Sequence, residues 1–132
     1  MSSHDEVRVV LIAHAPLAGA MGEVARHAFP ECASGIDCVD VLPDSTLDEI
    51  KLRLLALLDA RPTLVLADVL GATPANAIQQ VLAERAGLRA VAGLNVPMLW
   101  RVLCYRWEDL DVLAERAMTG GQRGIITMNN SG

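Results

Sequence analysis

Residues 9–14, VVLIAH, carry the clearest indication of the fold of this chain. Five apolar, strand-forming residues stand in a row, and their continuity predicts a strand buried on both faces, as in a parallel sheet. His14 follows this run directly. The strand would therefore carry an imidazole to the carboxyl edge of the sheet, where open α/β sheets bind ligands.

A second stretch, LVLAD at residues 64–68, repeats the arrangement with a carboxylate. Asp68 follows four apolar residues, and the segment VLGATP at residues 69–74 then predicts a loop that opens a helix. If the two strands are neighbours in a parallel sheet, they end at the same edge. We therefore expect Asp68 and His14 to meet at one rim, in an arrangement that suits chemistry on a phosphoryl group.

Outward from these strands, the hydrophobic pattern predicts the order βαβαβαβ, then two helical pieces and a lone strand. The predicted strands are residues 7–13, 36–42, 63–67, 88–92 and 124–128, and the predicted helices are residues 17–29, 46–59, 74–86, 97–104 and 107–119. Thr46 and Glu49 predict a capping box, and Gly87 is expected just after the third helix. Gly120 and Gly121 are expected to stop the last helix. The predicted fold class is α/β: an open, mostly parallel four-stranded sheet with helices on both faces, in a single domain over residues 1–132.

The last predicted strand, residues 124–128, lacks a crossover that would make it parallel to the others. It is apolar and β-prone, and such a segment favours aggregation when it is left exposed. We expect it to pair antiparallel with the sheet of a second subunit. Exchange in both directions would give a closed homodimer.

Composition narrows the function classes. The formal net charge of −5 and the lack of a Lys/Arg cluster argue against a nucleic-acid surface. The three cysteines, Cys32, Cys38 and Cys104, are odd in number and lack CxxC spacing, so neither a disulfide frame nor a zinc site is indicated. A reduced cytoplasmic protein without direct membrane insertion is the simple interpretation. The glycines form no GxGxxG or Walker pattern, and we expect no cofactor.

His14, Asp68 and Thr73 are the candidate catalytic residues. A neutral imidazole accepts phosphoryl groups well near pH 7, and an ionised Asp68 would hold its far N–H and stabilise charge on the ring. Thr73 followed by Pro74 predicts a helix start in which the hydroxyl caps the helix, proline occupies the first position and free N–H groups hold an anion. Taken singly, each residue is better explained as structural, and their joint placement leaves phosphoryl transfer and a structural role equally open.

These residues give the chain a resemblance to the mannose-type enzyme IIA component of the bacterial phosphoenolpyruvate:sugar phosphotransferase system. The matching segments are LIAH at 11–14, ADVLGATPAN at 67–76 and GLNVPML at 93–99. The resemblance implies that the phosphocarrier HPr phosphorylates His14, which passes the group to a IIB domain. Asp68 matches the family's aspartate and Thr73 its hydroxyl residue. Ala15 and Ala72 stand where the family commonly has glycine. The resemblance also implies a homodimer with exchanged C-terminal strands.

Three functions remain open from the sequence. The first is a phosphohistidine carrier for sugar uptake, which would hand the phosphoryl group to a separate IIB protein in a membrane-associated complex. The second is a regulatory phosphorelay protein of an incomplete phosphotransferase system, in which the two phosphorylation states bind a target differently. The third is a small-ligand binding module without phosphorylation. The sequence names neither a sugar nor a target.

Overall fold

The computed structural model describes residues 6–69 and 71–130. Its strands are β1 (Arg8–His14), β2 (Asp37–Val41), β3 (Thr63–Ala67) and β4 (Leu88–Ala92), and its helices are α1 (Leu17–Ala28), α2 (Leu47–Leu57), α3 (Ala72–Glu84), α4 (Val96–Leu103) and α5 (Leu110–Arg123). Strands and helices alternate through β4, as the hydrophobic pattern predicts. The predicted α/β class with a four-stranded parallel sheet is confirmed.

The four strands lie in the order β2-β1-β3-β4, and every neighbouring pair is parallel. Ile12 pairs with Ala67 between β1 and β3, and His14 pairs with Val41 between β1 and β2. The residues that follow Ile12 and Ala67 therefore emerge at the same carboxyl edge. The expected adjacency of the two polar strand ends is confirmed.

Each face of the sheet packs on helices, which explains why β1 is apolar without interruption. Val9 and Leu11 belong to a core formed with α1, α4 and α5, whereas Val10 and Ile12 belong to a second core formed with α2 and α3. All four side chains are fully buried. Residues 9–13 are covered on both sides and leave no position for a polar residue, so the polar residues of β1, Arg8 and His14, lie at its two ends.

Two helix starts use side-chain caps. The predicted capping box of α2 is present: the Thr46 hydroxyl accepts the Glu49 N–H at 3.1 Å, and the Glu49 carboxylate accepts the Thr46 N–H at 2.8 Å. The start of α1 is capped from outside the helix, because the Asp40 carboxylate of β2 accepts the Ala18 N–H at 2.9 Å. In the sequence, Asp40 reads only as a polar interruption of its strand, since such a cap depends on tertiary contact.

The predicted start of α3 is wrong by two residues. Gly71 is the N-cap, without a side-chain hydrogen bond, so Thr73 and Pro74 lie inside the first turn. Proline is tolerated there because the first N–H groups of a helix lack partners within the helix. The end of α3 also comes early, at Glu84, and Gly87 adopts φ +74° in the turn that leads into β4.

The prediction that Gly120 and Gly121 stop the last helix is also wrong, because α5 continues to Arg123. Both glycines are buried where α5 packs on α4. A Cβ atom on Gly120 would lie 2.7 Å from Cβ of Arg101, and one on Gly121 would lie 3.0 Å from Cε of Met98. These glycines therefore allow close helix packing rather than helix termination.

Residues 124–128 form no strand within the single chain. Ile125, Ile126 and Met128 expose 77%, 74% and 86% of their surface. An apolar segment this exposed is a ready site for association. Strand pairing with a second subunit stays a prediction.

The cysteines also differ from the expectation, which did not include a disulfide. Cys32 and Cys104 form a disulfide, with their Cα atoms 5.0 Å apart, and Cys38 is free. Cysteine spacing carries no signal of this pair, because the two partners have a sequence separation of 72 and only the packing of α1 beside α4 brings them together. No helix among residues 6–69 and 71–130 is both long and apolar enough to cross a bilayer.

Candidate functional site

The centre of the candidate site is a direct contact between His14 and Asp68. The His14 Nδ1 atom lies 2.9 Å from Oδ2 of Asp68, and the same oxygen accepts the His14 backbone N–H at 3.0 Å. The imidazole side chain is 55% exposed, whereas the Asp68 side chain is only 14% exposed. The mostly buried carboxylate therefore fixes the orientation of the more exposed ring through its contact with Nδ1.

Asp68 is held rigidly at this edge. Its Oδ1 atom accepts the Val69 N–H at 2.7 Å, its own N–H donates to the Ile12 carbonyl, and its carbonyl accepts the Gly93 N–H. Burial alone would raise the pKa of the Asp68 carboxyl group, but hydrogen bonds from the His14 side chain and backbone and from Val69 outweigh it and lower that pKa. Asp68 is therefore an anion at neutral pH.

An anionic acceptor at Nδ1 determines the state of the other ring nitrogen. A neutral imidazole carries one proton, and the carboxylate favours that proton on Nδ1. Nε2 then keeps a free lone pair. Among the described residues no hydrogen bond is made to Nε2, so this atom is the available nucleophile.

The start of α3 lies beside that nucleophile. A Cβ atom built on Gly71 would stand 3.9 Å from His14 Nε2 and 3.8 Å from Cε1, which places the N-cap of α3 against the reactive side of the ring. The N terminus of an α-helix presents free N–H groups and a partial positive charge, both of which favour an anion. The arrangement therefore combines a nucleophilic nitrogen with an adjacent site for negative charge.

Thr73, the third predicted site residue, lies in the first turn of α3 and is exposed. Thr73 does not cap the helix. Within the part of the chain that the structure describes, its side chain makes no hydrogen bond. The structure therefore brings His14 and Asp68 into contact and places Thr73 on the adjoining helical turn. Ala72, where the resembled family has glycine, is exposed on the same turn. The predicted loop also contains Leu70, which lies outside the described residues.

The loop after His14 completes the rim. The Ala15 N–H donates to the carbonyl of Val41 at 2.9 Å, which continues the β1–β2 ladder by one residue, and the Ala15–Pro16 peptide bond is cis. Leu17 and Val69 expose 38% and 62% of their surface on the segments that leave β1 and β3. The imidazole thus lies on an open surface with apolar side chains nearby, a setting suited to docking of another protein.

The same residues do not make a metal centre. Within the described ranges, no group of three or more His, Cys, Asp or Glu side chains is placed to hold a metal ion. The chemistry that the site offers is that of its own imidazole, carboxylate and helix N terminus.

Comparison with known proteins identifies the family of the chain. A model of the EIIA-man family, described as "PTS system fructose IIA component", matches residues 8–118. The mannose-specific EIIAB components of the phosphotransferase system from Escherichia coli K12 and Shigella flexneri are 27% identical to the chain over 93 residues. That alignment covers 66% of this chain but only 29% of either relative.

Solved structures share the fold over nearly the whole chain. The mannose/sorbose-specific IIA subunit of the phosphotransferase system from Enterococcus faecalis superimposes with a TM-score of 0.88 at 27% identity, covering 97% of this chain and 98% of that one. The EIIA component from Streptococcus agalactiae has a TM-score of 0.82 at 21% identity, covering 92% and 96%. With the family match spanning most of the chain, the protein belongs to the EIIA-man family and is a IIA component of the phosphotransferase system.

Proposed function

We propose that this protein is a phosphohistidine carrier that accepts a phosphoryl group from HPr on His14 and passes it to a IIB protein for sugar uptake. The observation that carries the proposal is the hydrogen bond between Nδ1 of the exposed His14 ring and Asp68, because in the neutral imidazole the carboxylate favours the proton on Nδ1 and leaves the Nε2 lone pair free. Family membership supports the donor and acceptor, because a IIA component acts between other phosphotransferase proteins.

In the proposed first step, the lone pair of His14 Nε2 attacks the phosphorus atom carried by HPr. A new N–P bond forms while the bond between phosphorus and HPr breaks, and the electron pair of that bond leaves with HPr. The Nδ1 proton stays on the ring, where Asp68 balances the positive charge that develops during the attack. Transfer to a IIB protein is the same displacement with His14 as the leaving group.

The start of α3 has a separate role in this proposal. The transferring group carries negative charge on its oxygens, and Gly71, the N-cap residue of α3, lies beside Cε1 and Nε2 of the ring. We assign Thr73 as a further donor to those oxygens, because its exposed hydroxyl lies on the same turn. Asp68 would thus act on the nucleophile, and α3 on the group being transferred.

The direct test is intact-mass measurement after incubation with phosphoenolpyruvate, enzyme I and HPr. The wild-type chain should gain one phosphoryl group, which is stable in alkali and lost in mild acid, as expected for a phosphoramidate. His14→Ala should gain none. His27→Ala removes another exposed histidine, on α1, and should be labelled like the wild type. Labelling of His14→Ala, or no labelling of the wild type, would refute the proposal.

The second step separates sugar uptake from regulation. A carrier for uptake should lose its label when a IIB protein is added, whereas a regulatory phosphorelay protein of an incomplete system should keep it. In the regulatory case, the phosphorylated and free forms should differ in affinity for a target protein. Both functions require the same chemistry at His14, so the first experiment tests their common basis.

A further inference from the structure

The disulfide between Cys32 and Cys104 lies at the end of the molecule away from His14. Cys32 follows the C terminus of α1, and Cys104 is the residue at which α4 ends. Arg106 bonds here to Val7, the residue before β1, which places this region at the amino edge of the sheet. The disulfide therefore joins the ends of two helices that pack on the same face.

Both cysteines are within reach of small molecules. They are half-buried and line a surface cavity of about 150 Å³ together with Arg106 and Trp107. The remaining lining includes the polar side chains of Glu31 and Ser34. A disulfide in an open, polar cavity is accessible to an attacking thiol, unlike one sealed inside a core.

A buried cation stands in the same cavity. Arg106 is only 6% exposed, and its guanidinium donates to the backbone carbonyls of Val7 and Ser34. Within residues 6–69 and 71–130 Arg106 makes no ion pair, and the charges of Glu6 and Asp37 act on it from a greater distance. A nearby cation favours a thiolate over a thiol, and the thiolate is the reactive species in thiol–disulfide exchange.

We propose that Cys32 and Cys104 form a reversible redox modification site whose reaction partner is a low-molecular-weight thiol of the glutathione class. A glutathione thiolate attacks one sulfur, the S–S bond breaks, and the other cysteine leaves as a thiolate. A second glutathione thiolate then attacks the mixed disulfide. The net reaction turns one protein disulfide and two glutathione thiols into two protein thiols and one oxidised glutathione, so electrons and protons balance.

The expected consequence is a change in stability. The disulfide closes a loop with a sequence separation of 72 residues, which restricts the unfolded chain. Its reduction should lower the melting temperature by about 10 °C. Trp107 lines the same cavity, so its fluorescence should also differ between the two forms. The redox chemistry of this pair is independent of phosphoryl transfer at His14.

The test counts thiols in the folded full-length protein carrying Cys38→Ser, which removes the free cysteine. Reduced glutathione should expose two thiols while the chain stays folded, and oxidised glutathione should remove both and restore the higher melting temperature. In the matched variant that also carries Cys104→Ser, Cys32 has no partner and should form only a mixed disulfide with glutathione. Thiols that appear only after denaturation would overturn the proposal. So would failure of oxidised glutathione to join the pair.

Discussion

The Nδ1 atom of His14 and the Oδ2 atom of Asp68 lie 2.9 Å apart, and each residue directly follows the buried part of a central parallel strand. The strand pairing sets this distance, because Ile12 and Ala67 are registered partners, so that His14, two residues beyond Ile12, and Asp68, directly after Ala67, reach the same edge of the sheet. Sheet register therefore orients the imidazole, and the carboxylate beneath it leaves Nε2 toward solvent.

Replacing Asp68 by alanine should slow phosphorylation of His14 on the order of 100-fold, a loss typical when a charge-stabilising group is removed. Binding of HPr should weaken far less, because Asp68 is mostly buried and acts on the ring as charge develops. Stopped-flow transfer and calorimetric titration with HPr measure the two effects. Asp44→Ala, in an exposed loop, is the matched control. An unchanged transfer rate would place Asp68 outside the site.

The same carboxylate predicts a pH effect on stability. The folded-state pKa of Asp68 is lowered, so its contribution to the free energy of unfolding is complete above the unfolded pKa, about 3.9, and is lost as pH falls through the lower folded value. Asp68→Asn should therefore lose less stability than the wild type between about pH 4 and pH 2. Urea denaturation across this range measures the slope. Equal slopes in the two proteins would contradict the lowered pKa.

Thr73 tests the role of the start of α3. Thr73→Val keeps the shape of the side chain but removes the hydroxyl, and it should slow transfer about 10-fold or more, the usual value of a hydrogen bond to a charged group. Thr73→Ser should restore the rate, whereas a purely structural role would show the loss in thermal stability instead. Equal rates for the Val and Ser variants would contradict this role and would leave backbone N–H groups as the only donors from this turn to the phosphoryl oxygens.

The exposed segment 124–128 leads to a prediction that the protein forms a homodimer. Ile125 lines a groove beside Val91 at the edge strand β4, and pairing of residues 124–128 with a second subunit would cover such a surface. The informative truncation ends after Gly124, because a cut after Gly121 would damage α5. Light scattering should show a full-length dimer that is lost in the truncated chain and weakened by Ile126→Lys. A full-length monomer, or a truncated dimer of equal stability, would rule out strand exchange.

The four strands of the sheet and their alternation with helices along the chain could be predicted from the sequence, because a parallel sheet covered on both faces leaves a continuous apolar signal, as in residues 9–13. The contact of His14 with Asp68 also follows from that logic. Features that depend on contact between distant segments could not be predicted. Asp40 caps α1 across the fold, and the disulfide requires the ends of α1 and α4 to meet.

The predicted end of α5 is wrong for a related reason. Glycines such as Gly120 and Gly121 are typical of a helix end. Here the lack of a Cβ atom at these two positions instead allows α5 to pack closely on α4. The predicted start of α3 is two residues too late, because Gly71 can serve as the N-cap and Pro74 is tolerated in the first turn. Local propensity leaves these choices open, and tertiary packing decides them.

In the proposed mechanism, Nε2 of His14 carries the phosphoryl group while Nδ1 keeps its proton against Asp68. Long-range ¹H–¹⁵N NMR of the chain phosphorylated by phosphoenolpyruvate, enzyme I and HPr measures this directly, because phosphorylated and protonated ring nitrogens have distinct shifts. We predict coupling of phosphorus to Nε2 of His14 and a protonated Nδ1. Phosphorus on Nδ1 of His14, or on another residue, would contradict this account of the site.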